Sequence, residues 1–390
     1  FMAAVLSSDM DNTDKVVGFL DEARALGLTV LPPDVNASGF MFEAIDPQTI
    51  RYGLGAVKGV GRGACEAIAS ERANGGPYAD LLDFCNRVDA GRMNRRTMEA
   101  LTLSGALDGL GSNRASLMLQ LPHAMKATEQ LARERSAGQV SLFGGGDAAP
   151  ALEIELPETA PWPLAQTLSG ERETLGHYLS GHPIDPYRQD LEALVGNDLG
   201  RLDALWASAS GGESRGGWRQ EAKVVIAGLV TAMRRRGDSQ AFVQLEDGRG
   251  RIECAFFSEA FQEYAPLLTR DRILIVEGGL REDEFSGGFS LRARRCWDFQ
   301  QVCPDLARGM RLRLDLRDPG LLERVEQMLE ERRPGSTPLR YELLLASGAR
   351  GAVDLNGQSS VRVDAELPGL LRADPGVREV ELQLERPWTS

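Results

Sequence analysis

The stretch from Lys223 to Cys296 does most to limit the possible folds. Lys223–Val230, Ala241–Leu245, Arg251–Phe257, Ile273–Leu280 and Phe289–Cys296 read as strands, and Ser258–Leu267, between the third and fourth, has helical spacing. Five strands with a helix after the third is the layout of an OB-fold barrel, whose outer strands and loops commonly meet single-stranded nucleic acid. Arg234-Arg235-Arg236 falls between the first and second strands, and Phe242, Phe256 and Phe257 lie on neighbouring strands as candidate stacking platforms. Alternation puts some of these rings inside the barrel. Residues 221–300 hold 12 Lys+Arg against 13 Asp+Glu, so single-strand binding here should be weak and salt-sensitive.

Upstream the pattern is helical. Asp11-Asn12-Thr13 before Val16, Val17, Phe19, Leu20 and Ala23 predicts a capped amphipathic helix ending near Gly27. Asp9-Met-Asp11-Asn-Thr-Asp14 could be taken for a calcium loop, but the sixth position lacks Gly and the twelfth is Leu20, so capping is the better account. Gly53 to Leu121 predicts a cluster of small helices joined by Gly-containing turns, and Ser112–Arg135 is the longest of them. Within it, Val57-Lys58-Gly59-Val60-Gly61-Arg62-Gly63-Ala64-Cys65 matches the Gly-apolar-Gly pattern of a helix-hairpin-helix. Glycines let a hairpin backbone approach a phosphate, and the second helix aims its first amides at it. Lys58 and Arg62 add cations. Such a motif grips backbone in any sequence; a plain helical junction with close-packed glycines is the competing account.

Gly138 to Pro161 is rich in Gly, Ala and Pro and suits an exposed connection. It carries Gln139-Val140-Ser141-Leu142-Phe143 just before Gly144-Gly145-Gly146, the anchor pattern of an extended peptide that fills an apolar pocket on a partner. Glu171–Leu179 and Asp185–Leu194 read as helices. Beyond the barrel, Met310–Leu316, Leu321–Glu331, Leu339–Leu345, Ser360–Ala365, Pro368–Ala373 and Val377–Leu384 alternate strand, helix, strand, strand, helix, strand. That order predicts a small βαββαβ ferredoxin-like module and makes the whole a multidomain α+β chain.

Charge and cysteine usage exclude several classes. The 390 residues carry 44 Lys+Arg against 57 Asp+Glu, a formal charge of -13, so bulk charge alone does not hold this chain on nucleic acid and local patches must. Five cysteines without a Cys-x-x-Cys pair, and three histidines outside metal-ligand spacings, argue against a zinc ribbon, a disulfide framework or His/Cys metal catalysis, and idle thiols suit a reducing, cytoplasmic setting. His177 and His182 lack a nucleophile elbow and read as turn and packing residues. No apolar run reaches the roughly 18 residues a membrane span needs. The start at Phe1, in mid-pattern, is expected of a piece of something longer.

Taken together these segments resemble the C-terminal portion of the alpha subunits of bacterial DNA polymerase III, the replicative C-family polymerases. Asp9-Met-Asp-Asn-Thr with Leu31-Pro-Pro-Asp34, the hairpin around Tyr52–Ile68, Asn94-Arg95-Arg96 with Ser104-Gly-Ala-Leu-Asp108, and Gly170-Glu-Arg-Glu-Thr-Leu-Gly176 with Ser180-Gly-His-Pro183 carry the likeness. Asp271-Arg-Ile-Leu-Ile-Val276 and Phe285-Ser-Gly-Gly288 extend it into the barrel. The resemblance implies that residues 1–45 end a fingers domain. It makes 46–137 the duplex-binding hairpin domain, with Lys58, Gly59, Val60, Gly61, Arg62, Gly63, Arg95 and Arg96 at the DNA. Residues 138–161 become a linker whose Gln139, Val140, Ser141, Leu142 and Phe143 bind the beta sliding clamp, and 162–219 a helical connector. Residues 220–300 become the OB domain facing single-stranded template through Arg234, Arg235, Arg236, Phe242 and Phe256, and 305–390 a module meeting the tau subunit of the clamp loader.

The family's Pro-Asp-x-Asp-x-Asp-Phe palm run is not in this sequence. The expectation is therefore no cofactor in this segment, Mg2+ in the palm of the parent DNA-directed polymerase, and no nucleotide addition by this segment alone. An error-prone paralogue of the same family and a non-enzymatic hairpin-plus-OB adaptor are the alternatives; an NAD-dependent DNA ligase would need a four-Cys zinc site that these scattered cysteines do not supply.

Overall fold

Asn12 accepts a hydrogen bond from the Lys15 amide (3.2 Å) and so opens a 13-residue helix where the capping pattern expects one. The computed structural model describes residues 1–88, 91–136, 156–209, 221–283, 288–345, 347–355 and 357–388. It divides into two units, Phe1–Gly181 and His182–Ser390, a boundary inside the stretch read as a connector.

In the first unit α1 (Met2–Ser8) and α2 (Thr13–Ala25) precede three short strands, β1 (Thr29–Leu31), β2 (Glu43–Asp46) and β3 (Thr49–Arg51), in the order β1-β3-β2. Helices α3 (Arg62–Gly75), α4 (Leu81–Arg87), α5 (Arg95–Leu103), α6 (Arg114–Ser136) and α7 (Leu164–Leu175) follow. Leu6, Leu20, Tyr52, Ile68, Phe84 and Leu101 share one core. The helix expected at 171–179 begins earlier and stops at Gly176, which takes the left-handed conformation (φ 83°) that ends helices cheaply only at glycine. Glu171, on α7, is fully buried. Its carboxylate accepts from the amides of Leu179 (2.6 Å) and Ser180 (3.0 Å), from Ser180 Oγ (2.5 Å) and from Arg114 Nη1 (2.9 Å).

The second unit opens with α8 (Arg188–Val195) and α9 (Leu202–Ala209). Then β4 (Ala222–Arg235), β5 (Gln240–Glu246), β6 (Arg251–Phe257), α10 (Ser258–Tyr264), β7 (Ile273–Asp283) and β8 (Gly288–Asp298) close into a barrel of order β4-β5-β6-β8-β7, the OB layout read from the sequence. Val224, Ile226, Val243, Leu245, Ile252, Cys254, Phe256, Val276 and Leu291 fill it. The turn between β5 and β6 is fastened to the preceding helices. Buried Asp247 accepts from the amides of Leu199, Arg249 and Gly250 (each 2.8 Å), and Arg188 donates to the Asp247 carbonyl (2.8 Å). A Cβ on Gly250 would lie 2.2 Å from the Leu199 carbonyl oxygen, which makes glycine obligatory there.

After α11 (Phe299–Leu306) come β9 (Ala307–Asp315), α12 (Leu321–Glu330), β10 (Leu339–Leu344), β11 (Arg350–Leu355), α13 (Leu367–Ala373) and β12 (Val377–Leu384). The βαββαβ order is as expected, with two differences. The third strand is Arg350–Leu355, whereas Ser360–Ala365 makes one bridge, Val361 to Thr337. The sheet order is β11-β10-β9-β12, with β9 and β10 parallel neighbours; a ferredoxin-like sheet would seat its third strand between them. Arg350-Gly-Ala-Val-Asp-Leu355 has too few apolar side chains for a central position, and it takes the exposed edge.

Candidate nucleic-acid interface

The hairpin of the first unit is one 3-10 turn (Leu54–Ala56), a loop and the start of α3. Val57 and Val60 are buried and anchor the loop, which leaves Lys58, Gly59, Gly61, Arg62 and Gly63 exposed. The Lys58 amide donates to the Thr174 carbonyl (2.8 Å), and Thr97 Oγ1 donates to the Gly59 carbonyl (3.2 Å). Thr97 is the third residue of α5, so the N-terminal turn of α5 lies against the hairpin loop. Asn94 caps that turn by accepting from the Thr97 amide (2.9 Å), with Arg95 and Arg96 exposed beside it. The N-terminal turn of α5 thus meets the loop that opens α3, with Lys58, Arg62, Arg95 and Arg96 exposed around that junction. The first amides of a helix lack intrahelical acceptors and carry partial positive charge, which suits a phosphate. Arg62 lies 3.9 Å from Glu66 and Arg95 2.8 Å from Glu99, exposed i,i+4 pairs that water screens.

Gly59 has φ +91°. Gly59→Val is expected to strain the loop by about 1–3 kcal/mol. Gly61 has φ -80° and open space where a Cβ would go, so Gly61→Ala should melt like the wild type. Thermal unfolding of both variants checks the pair.

In the barrel the alternation of β5 and β6 sends Ala241, Val243, Leu245, Ile252, Cys254 and Phe256 inward and Phe242 and Phe257 outward. Phe256, expected at the single strand, is 0% exposed and belongs to the core, because its position has the inward parity of the pleat. Arg234 and Arg235 are not between strands: they end β4, opposite Phe242 and Ala241, while the Arg236 amide closes the hairpin on the Gln240 carbonyl (3.0 Å). The Arg234 guanidinium lies 5.3 Å from the Phe242 ring centre, and Arg235 lies 5.8 Å from that of Phe261. Phe242 and Phe257 meet edge to face at 6.1 Å (88°), and Arg292, which no sequence motif singles out, lies 5.9 Å from the Phe257 ring. Its signal is the parity of β8, where Arg292 pairs with Ala255 on the outer face. Half-buried rings capped by guanidinium groups can stack bases and meet phosphates on one surface.

Gln139–Phe143 lies outside the described residues. In the terminal sheet Arg311 pairs with Glu342 and Glu381, and Arg313 with Glu342 and Glu379, a face of alternating sign with no excess of cations among these residues. Among the described residues no three His, Cys, Asp or Glu side chains gather to hold a metal, and no helix is long and apolar enough to cross a membrane. Burial pushes the Cys65 thiol up to about 11 and those of Cys85, Cys296 and Cys303 up to about 12, so they stay protonated.

Residues 27–117 match the helix-hairpin-helix motif family, and residues 224–298 match the OB-fold nucleic acid binding domain family. The chain is 56% identical to the DNA polymerase III subunit alpha of Xylella fastidiosa strain Temecula1 over 100% of its own length and 33% of that protein. It is 40% identical to the Escherichia coli K12 subunit over 99% of this chain and 33% of that one, and 39% identical to that of Pseudomonas aeruginosa over 88% and 30%. The chain spans about a third of the length of these relatives. Matched along its whole length, and carrying a hairpin domain and a closed OB barrel in that order, the chain is similar throughout to a portion of bacterial DNA polymerase III alpha subunits.

Proposed function

We propose that the chain is the DNA-handling part of a replicative DNA-directed DNA polymerase that extends primers by template-directed nucleotidyl transfer. The carrying observation is the end-to-end likeness to alpha subunits combined with two nucleic-acid folds whose cations face outward. The hairpin face grips the duplex backbone through Lys58, the Gly59–Gly63 backbone, Arg62, Arg95 and Arg96. The barrel holds single-stranded template along Arg234, Arg235, Arg236, Phe242, Phe257 and Arg292. Mg2+ and its carboxylates belong to the palm of the whole polymerase, and the bacterial cytoplasm is its setting. Alanine at Lys58, Arg62, Arg95 and Arg96 together should lower duplex affinity at every sequence and flatten its salt dependence, with a slope loss of about one per phosphate contact removed. A salt slope equal to the wild type's would refute the duplex grip.

Gln139–Phe143 binds the beta sliding clamp in this proposal, and the terminal module meets the tau subunit. Clamp tethering raises processivity through effective concentration. Leu142→Ala with Phe143→Ala is expected to weaken binding of the purified clamp about thirty-fold, since paired apolar anchors dominate small interfaces. Surface-plasmon titration reads it, and unchanged affinity returns the segment to a linker.

A further inference from the structure

Phe40 stands outside every motif in the sequence, yet it touches the hairpin on two sides. Its ring lies so close to Gly55 that a Cβ there would come within 2.5 Å of the ring edge, and its carbonyl accepts from the Gly55 amide (2.9 Å). The Leu54 amide is bound by the neighbouring Gly39 carbonyl (2.9 Å). On the other side the Arg62 guanidinium lies 4.3 Å from the Phe40 ring centre, although 63% of the Arg62 side chain is exposed. Arg72, further along α3, donates to the carbonyls of Val35 (2.6 Å) and Ser38 (3.0 Å), so the segment carrying Phe40 is strapped along the helix whose first residue is Arg62.

We propose that Phe40 is a positioning residue for DNA: its ring holds Arg62 as a flat plate beside the first amides of α3, with the guanidinium edge turned to the phosphate those amides receive. This rests on the duplex-grip reading of the hairpin. A free arginine samples many rotamers, and contact with a phosphate must fix them; a guanidinium already stacked on a ring has less to lose. The planar cation is required, because an ammonium is a point charge on a flexible stem. Glu66, 3.9 Å from Arg62, competes weakly for it from the solvent side.

The test is a double-mutant cycle on the full chain, read by anisotropy with a short labelled duplex at fixed salt. Phe40→Leu, which keeps apolar packing against Gly55, should weaken binding about five-fold, a stacked cation's usual worth, and Phe40→Tyr should bind like the wild type. In the Arg62→Ala background Phe40→Leu should have no further effect. Losses that multiply would overturn the proposal and leave the duplex grip standing. No loss from Arg62→Ala, or no duplex binding by the wild type, would overturn both. Should Phe40→Leu unfold, Arg62→Lys decides: it keeps the charge without the plate and should bind about as weakly as Phe40→Leu would, whereas wild-type affinity refutes the stacking role.

Discussion

Glu171→Gln is expected to destabilise the first unit by about 3 kcal/mol, the cost of breaking a buried pair. The carboxylate receives four donors, and it has no donor of its own to place. An amide would turn an N–H toward either the Leu179 and Ser180 amides or Ser180 Oγ and Arg114, and so leave buried donors unpaired. Arg114 would keep Asp108 (2.8 Å) but lose the partner inside the fold. Burial on its own raises the Glu171 pKa, but the bonds from Ser180, Leu179 and Arg114 outweigh it and hold the group below its usual range. A folded-state pKa below the unfolded one gives stability that is full above the unfolded value and fades as pH falls through the folded one. The gap between wild type and Glu171→Gln should therefore be constant near neutrality and shrink below about pH 4. Urea unfolding across that range measures it, and a gap that widens in acid would contradict the assignment.

Phe242→Ala with Phe257→Ala should reduce affinity for a single-stranded oligonucleotide about a hundred-fold and leave duplex binding by the hairpin intact. Each stacked base is worth about 1–3 kcal/mol, and the two rings meet on one outward surface. Both are half-buried on the outer face, so the barrel should keep its melting temperature to within a few degrees. Phe256→Ala is the contrasting case: it empties the core and should cost about 3–5 kcal/mol of stability. Wild-type single-strand affinity in the double variant would move the binding surface off this face.

The barrel was legible because pleat alternation is written residue by residue: Ala241, Val243 and Leu245 answer Ile252, Cys254 and Phe256 across β5 and β6. The same rule assigns Phe256 to the core once the register is fixed, which the sequence alone leaves open. Three successive arginines look like a loop, yet β4 carries Arg234 and Arg235 because its end pairs with β5 past a bulge between Val230 and Ala232. In the terminal module Val361, Val363 and Ala365 alternate and are buried, yet they join no sheet: their one bridge, Val361 to Thr337, lies outside the strands. Alternation reports burial, and pairing is a separate fact. The hairpin was legible from its glycines. The surroundings of Glu171 and Phe40 were not, since Arg114 and Arg62 come from other elements that only packing brings to them.

The clasp at the β5–β6 turn has a mechanical consequence. Phe242 and Phe257 sit at one end of that hairpin, and Asp247, Arg188 and Leu199 fasten its other end to the helices before the barrel. If a single strand stacks on these rings as proposed, a pull on it would run along two hydrogen-bonded strands toward the clasp. In that proposed arrangement the clasp would hand the load to α8 through Arg188 and to the Leu199 turn ahead of α9, so that the hairpin would work as a tie-rod.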